Sequence, residues 1–100
     1  MLATGPGHGI QLKSGRLLAP VWLSTGTGGH AHRPSVVATI YSDDSGRTWQ
    51  AGEISAHDGQ PLANPSESMA VELADGRVLL NLRSESPEHR RAWAISPDGA

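Results

Sequence analysis

Ser42-Asp43-Asp44-Ser45-Gly46-Arg47-Thr48-Trp49 follows directly on the β-prone run from Val36 to Tyr41. The order Ser-x-Asp-x-Gly-x-Thr-Trp serves a turn rather than a reaction. Asp44 can fold its carboxylate back onto backbone N–H groups, and Gly46 can take a positive φ. Thr48 and Trp49 then open a new strand, with the indole expected to pack against the sheet. The stretch joins two strands, and its surroundings read outward from it as β structure.

Composition agrees with a turn-rich β chain. The 100 residues include 12 Gly and 7 Pro but no Phe, one Tyr and three Trp. With 8 basic and 10 acidic residues the net charge is −2, so no broad basic field exists to hold nucleic acid or an anionic membrane. Anion recognition would have to be local. The absence of cysteine excludes disulfides and thiolate metal sites and leaves the compartment open. No stretch approaches the roughly 20 apolar residues of a membrane span. Met1-Leu2-Ala3-Thr4 has neither the basic start nor the apolar core of a signal peptide.

The chain repeats itself. Gly9-Ile10-Gln11-Leu12-Lys13-Ser14-Gly15-Arg16-Leu17-Leu18 parallels Ala70-Val71-Glu72-Leu73-Ala74-Asp75-Gly76-Arg77-Val78-Leu79. Each copy reads as a short strand, a glycine-containing hairpin turn, an arginine and an apolar strand. A third strand follows in each, and the second is succeeded by Ser96-Pro97-Asp98-Gly99-Ala100, the opening of another Ser-x-Asp turn. The spacing from Ser42 to Ser96 is close to the length of one propeller-blade repeat, which runs to about 50 residues. Strands are predicted near 9–12, 16–23, 35–41, 48–53, 69–73, 77–83 and 90–95, with no helical periodicity. The competing architecture is a self-contained sandwich of seven strands.

Several other patterns carry no chemistry. His30-Ala31-His32 offers two imidazoles without a third ligand and reads as an exposed loop pair. Ser24-Thr25-Gly26-Thr27-Gly28-Gly29 lacks the Gly-Lys-Ser/Thr ending of a phosphate loop. Asp43, Asp44 and Asp58 lack calcium-loop spacing.

The turn at Ser42, Asp44, Gly46, Thr48 and Trp49 resembles the Asp-box of the sialidase superfamily, a hairpin repeated at the corners of β-propeller blades and remote from the active site. The second repeat extends the resemblance. Asn64-Pro65-Ser66-Glu67-Ser68-Met69-Ala70-Val71-Glu72-Leu73, then Asp75-Gly76-Arg77, then Asn81-Leu82-Arg83 is similar to the central catalytic region of exo-α-sialidases. Gly5-Pro6-Gly7-His8-Gly9-Ile10-Gln11-Leu12 resembles a glycine-rich segment of the same family. Ser66 stands where the family often has asparagine or an acidic residue, and Met69 stands near a position often held by glutamine.

The resemblance implies an all-β fold, a partial β-propeller of about two blades from a family whose intact members have six. Residues of about 5–54 would form the first blade, with its box at 42–49, and about 66–100 an incomplete second one. It further implies that Glu67 is the catalytic glutamate and Arg83 one member of an arginine triad. A guanidinium suits the carboxylate on the anomeric carbon of sialic acid, which it can bind in a bidentate manner. That same carboxylate repels an anionic nucleophile, so sialidases use a neutral tyrosine, and Glu67 would be its base. Glu72 reads as structural. So does Tyr41, which leads straight into the turn. The acid, the tyrosine and the remaining arginines have no counterpart among these residues, so the isolated chain is expected to be inactive on a sialylated glycan substrate. No metal or organic cofactor is required. The runner-up is a non-enzymatic propeller that binds carbohydrate or protein. Another glycosidase on the same fold is a third reading.

Overall fold

A computed structural model of the chain describes residues 2–4, 7–26, 33–59, 61–87 and 90–100. Among them are eight strands and no helix: β1 (Leu2–Thr4), β2 (Ile10–Gln11), β3 (Leu17–Ser24), β4 (Ser35–Ser42), β5 (Gln50–Ala56), β6 (Ser68–Glu72), β7 (Val78–Leu82) and β8 (Ala92–Ser96). They form two antiparallel sheets. The first runs β1-β3-β4-β5, with β2 also paired to β3, and the second runs β6-β7-β8. The all-β expectation holds, with strand ends shifted by a few residues.

β1 lies beyond the seven strands expected from sequence, and Pro20 explains where it sits. β1 pairs Val21 to Leu23, whereas β2 pairs Leu17 and Leu18. Ala19 and Pro20 fall opposite the interruption between the two short strands. Proline has no N–H to give a ladder, so it is tolerated where a neighbouring strand is broken.

Alternation along the strands gives each sheet an inner face. Leu18, Trp22 and Val37 from the first sheet meet Ala70, Val78, Leu80 and Leu82 from the second in one buried cluster. Burying a leucine or valine side chain of this kind contributes about 1.5–3 kcal/mol relative to exposure. Polar bonds stitch the same interface. The Ser35 hydroxyl donates to the Pro65 carbonyl (2.7 Å) and the Thr39 hydroxyl to the Gly99 carbonyl (2.7 Å), while the Lys13 N–H donates to the Glu72 carboxylate (3.0 Å). Glu72 thus ties the hairpin turn of one sheet to the strand end of the other.

The two hairpins of the sequence repeat close with the same pair of hydrogen bonds. Leu12 N–H donates to Arg16 O and Gly15 N–H to Leu12 O (both 2.8 Å). Leu73 N–H donates to Arg77 O (2.7 Å) and Gly76 N–H to Leu73 O (2.9 Å).

The turn from Ser42 to Trp49 is organised by side chains. Buried Ser42 donates its hydroxyl to Asp44 Oδ1 (2.7 Å) and accepts the Gly46 N–H (2.8 Å). Asp44 accepts the Thr48 N–H (2.8 Å) and the Thr48 hydroxyl. Hydrogen bonds from the Thr48 hydroxyl, then the Thr48 N–H, then Ser42 hold the Asp44 carboxyl at about 2, below its ordinary 3.8. The Trp49 indole does not enter the sheet. It is 46% exposed and folds back over the turn, where Nε1 donates to Gly46 O at 3.2 Å. Ser96 repeats part of the arrangement, accepting the Gly99 N–H (2.8 Å), while Asp98 accepts the Ala100 N–H (3.0 Å).

Arg16 joins the two turns. Its guanidinium holds both Asp43 oxygens (2.8 and 3.0 Å), donates to the Asp98 carbonyl (3.2 Å) and lies 4.3 Å from the centre of the Tyr41 ring. Asp43 keeps a lowered pKa through its hydrogen bond with Arg16. The Tyr41 hydroxyl donates to Gln50 (3.2 Å), so this tyrosine is engaged within the first sheet.

Candidate functional site

Glu67 and Arg83 stand at the open end of the β6–β7 hairpin. The register pairs Ser68 with Leu82, so the next pair outward is Glu67 with Arg83. Backbone pairing continues through both: Ser66 N–H donates to Arg83 O (3.0 Å) and Arg83 N–H to Glu67 O (2.9 Å). Directly opposed residues of an antiparallel pair project from one face. The two side chains accordingly meet, with Arg83 Nη1 3.3 Å from Glu67 Oε2. Each is about half exposed, at 53% and 43%. Glu85, two residues along from Arg83, bonds elsewhere.

Glu85 serves the backbone behind the pair. It bonds Arg33 (2.8 Å) and the Asn64 amide (2.9 Å), and the Arg33 contact is the first cause of its lowered pKa. The Ser84 hydroxyl donates to Ala63 O and accepts the Ala63 N–H (both 3.1 Å). The Glu85 N–H also donates to Ala63 O (2.7 Å). With Pro65 fully buried and its carbonyl held by Ser35, the segment leading to Glu67 is fastened on both sides. The two candidate side chains are therefore carried by a fixed frame while they themselves face outward.

A cavity opens beside them, lined by Gly7, Glu67, Ser68, Met69, Asn81 and Arg91. A Cβ at Gly7 would lie 2.8 Å from Met69 Cγ, so a larger residue there would have to displace the exposed Met69 side chain. Arg91, immediately before β8, donates its Nε–H to Asn81 Oδ1. This puts a second guanidinium next to the Glu67–Arg83 pair, a feature missed from sequence. The alternation that places Trp93 and Ile95 on one face of β8 also places Arg91 there, which is the signal that could have found it.

The arrangement offers a planar cation with N–H groups for a carboxylate ligand and an adjacent carboxylate able to accept a proton. Its openness leaves both groups accessible to a ligand. His30-Ala31-His32 lies outside the described residues, as do Gly5, Pro6 and Thr27-Gly28-Gly29. Among the described residues, no group of three or more His, Cys, Asp or Glu is placed to hold a metal ion.

Antiparallel β architecture and a paired acid and guanidinium at a hairpin mouth define a class; relatives define the family. A sialidase of Micromonospora viridifaciens is 38% identical over 97 residues, covering 93% of this chain and 13% of the relative. Sialidase-3 of Bos taurus is 35% identical over 108 residues, covering 96% of this chain and 23% of the relative. Sialidase-4 of Mus musculus is 40% identical over 106 residues, at 96% and 20% coverage. No family model matches the chain. The chain belongs to the sialidase superfamily. It spans only about an eighth to a quarter of the length of these relatives, from 13% to 23%.

Proposed function

We propose that these residues form part of the sugar site of an exo-α-sialidase, a retaining glycoside hydrolase that removes terminal sialic acid from glycoconjugates. The observation that carries this reading is the Glu67–Arg83 pair, fixed by hairpin register at 3.3 Å in a chain of the sialidase superfamily. The two sheets are read as successive propeller blades, and the Ser42–Trp49 turn as an Asp-box at a blade corner. The near-identical hairpin closures of the two repeats support that reading.

In this mechanism Arg83 binds the carboxylate on the anomeric carbon and fixes the sugar's orientation. Glu67 accepts the proton of a tyrosine nucleophile, so that the attacking group is neutral until it reacts. Tyr41 is not that nucleophile, since its ring lies against Arg16 and its hydroxyl donates to Gln50. On this reading the tyrosine, the acid and further arginines would come from outside these residues.

The test has two parts. Titration of the 100-residue chain with N-acetylneuraminic acid should shift NMR signals around Arg83, and its methyl ester should not. Arg83→Ala should abolish that response, and in a complete site should weaken binding of a sialic-acid transition-state analogue by about 2–5 kcal/mol. Glu67→Gln should depress turnover of a fluorogenic sialoside far more than affinity. An unaltered response in Arg83→Ala removes Arg83 from the site.

A further inference from the structure

We infer that Arg91 is a positioning residue of the proposed site: it receives the Glu67 carboxylate when the carboxylate of a ligand takes Arg83. The inference rests on the reading of Arg83 as a carboxylate-binding group and goes beyond it to a residue outside the Glu67–Arg83 pair.

The second sheet sets three charges in a row. The register of β6 and β7 brings Glu67 opposite Arg83. That of β7 and β8 pairs Asn81 with Trp93 and Leu82 with Ala92, so the next step outward brings Arg91 level with Arg83. The side-chain contacts show that all three project from one face. Arg83 reaches Glu67, and Arg91 donates its Nε–H to Asn81, which shares its face of β7 with Arg83. The order across the strands is therefore carboxylate, guanidinium, guanidinium. Like charges at opposed positions of neighbouring strands are destabilising. Among the described residues Arg91 has no carboxylate partner to offset this. Its bond to Asn81 engages Nε and leaves the terminal Nη groups for another acceptor. The hairpin mouth thus holds two guanidiniums for one carboxylate, and a second carboxylate evens the charge.

Where that second carboxylate goes decides what Arg91 does. A ligand bound to Arg83 brings its anion beside Glu67, and two carboxylates on one guanidinium repel each other. Glu67 and Arg91 border the same cavity, which Met69 and Asn81 also line. Rotation of Glu67 into that cavity brings it to the free edge of Arg91 and gives each carboxylate a cation of its own. The Asn81 bond holds the receiving guanidinium in place before the ligand arrives. The existing pair suits such an exchange, since it is a single 3.3 Å contact between half-exposed side chains.

The test is a double-mutant cycle on the protein that carries the complete site, with the affinity for N-acetylneuraminic acid measured by titration calorimetry. Arg91→Met keeps the length of the side chain and removes its charge. It should weaken binding about tenfold or more, because Glu67 and the ligand are left to share one guanidinium. Arg91→Lys retains the charge and should recover most of that loss. With Glu67→Gln there is no second anion to receive, so adding Arg91→Met should change affinity little. A loss of equal size in the Glu67→Gln background overturns the inference, since Arg91 would then act on the ligand itself or on the fold. Unchanged binding in Arg91→Met overturns it as well, and so does an Arg91→Lys variant as weak as Arg91→Met. Arg83→Ala separates this inference from the proposed function. If Arg83→Ala abolishes binding while Arg91→Met leaves it intact, only the role of Arg91 falls. A wild type that does not bind the acid, or an Arg83→Ala variant that binds it fully, overturns the proposed site and the role of Arg91 with it.

Discussion

Leu18→Ala is the sharpest probe of how the two sheets hold each other. Leu18 is 1% exposed, and it lies between the sheets against Gly99 and Val78. Truncation to alanine in such a site removes transfer energy and leaves a cavity, for about 2.7–5 kcal/mol in all. Against a typical total of about 5–15 kcal/mol, this is a large fraction of the fold's stability. Urea denaturation followed by tryptophan fluorescence should show a lower midpoint, with one transition and an unchanged slope. A second substitution tests the geometry. Gly99 has φ +83°, and a Cβ there would lie 3.1 Å from Leu18 Cδ1 and 3.3 Å from Val78 Cγ2. Gly99→Ala should therefore destabilise the wild type through both backbone strain and crowding. In the Leu18→Ala background the crowding from Leu18 is relieved while that from Val78 stays, so the second substitution should cost measurably less than it does alone. Additive losses, or a Leu18→Ala effect below about 1 kcal/mol, would refute the inter-sheet contact described for Leu18.

Two further outcomes concern the Ser42–Trp49 turn. Ser42→Ala should destabilise by about 1–3 kcal/mol, because the Gly46 N–H loses its acceptor at a buried hydroxyl position; urea midpoints measure this directly. For pH, the Asp44 carboxyl is depressed in the folded state, so its contribution is complete above the unfolded value of 3.8 and disappears as pH falls toward about 2. Asp43, Asp75 and Glu85 are also lowered and act in the same direction. Thermal midpoints should fall across this acid window, and less steeply in Asp44→Asn.

Local chemistry was the legible part of this chain. The Ser-x-Asp turns and the glycine hairpins could be read because their hydrogen bonds join residues only two to four positions apart, as in Gly46 to Ser42. The Glu67–Arg83 juxtaposition was accessible for a related reason: one tight hairpin fixes its register. β1 escaped because three residues carry no alternation, although Pro20 in a strand-like run marked a break in the neighbouring ladder. The Arg16 clamp escaped because its partners, Asp43 and Asp98, come from distant turns. Trp49 went astray because a pattern names an aromatic residue without saying which way its ring folds; here the indole N–H finds a carbonyl in the turn itself.

What separates the Glu67–Arg83 pair from the other ion pairs is the mismatch between its support and its strength. Half-exposed pairs contribute about 0.2–1 kcal/mol, too little to account for the construction around this one. That construction comprises buried Pro65, the Ser35 and Ser84 hydroxyls on neighbouring carbonyls, and Glu85 bracing Asn64 and Arg33. Those contacts would hold the hairpin mouth even without the pair. Fixed backbone beneath exposed, opposite charges is what a binding site needs, since positioning is settled before a ligand arrives. A weak pair is also easily exchanged: a ligand carboxylate can replace Glu67 on the guanidinium at little electrostatic cost and leave the glutamate able to accept a proton. The hairpin mouth thus has the fixed support and exposed charges that the proposed role of these two residues requires.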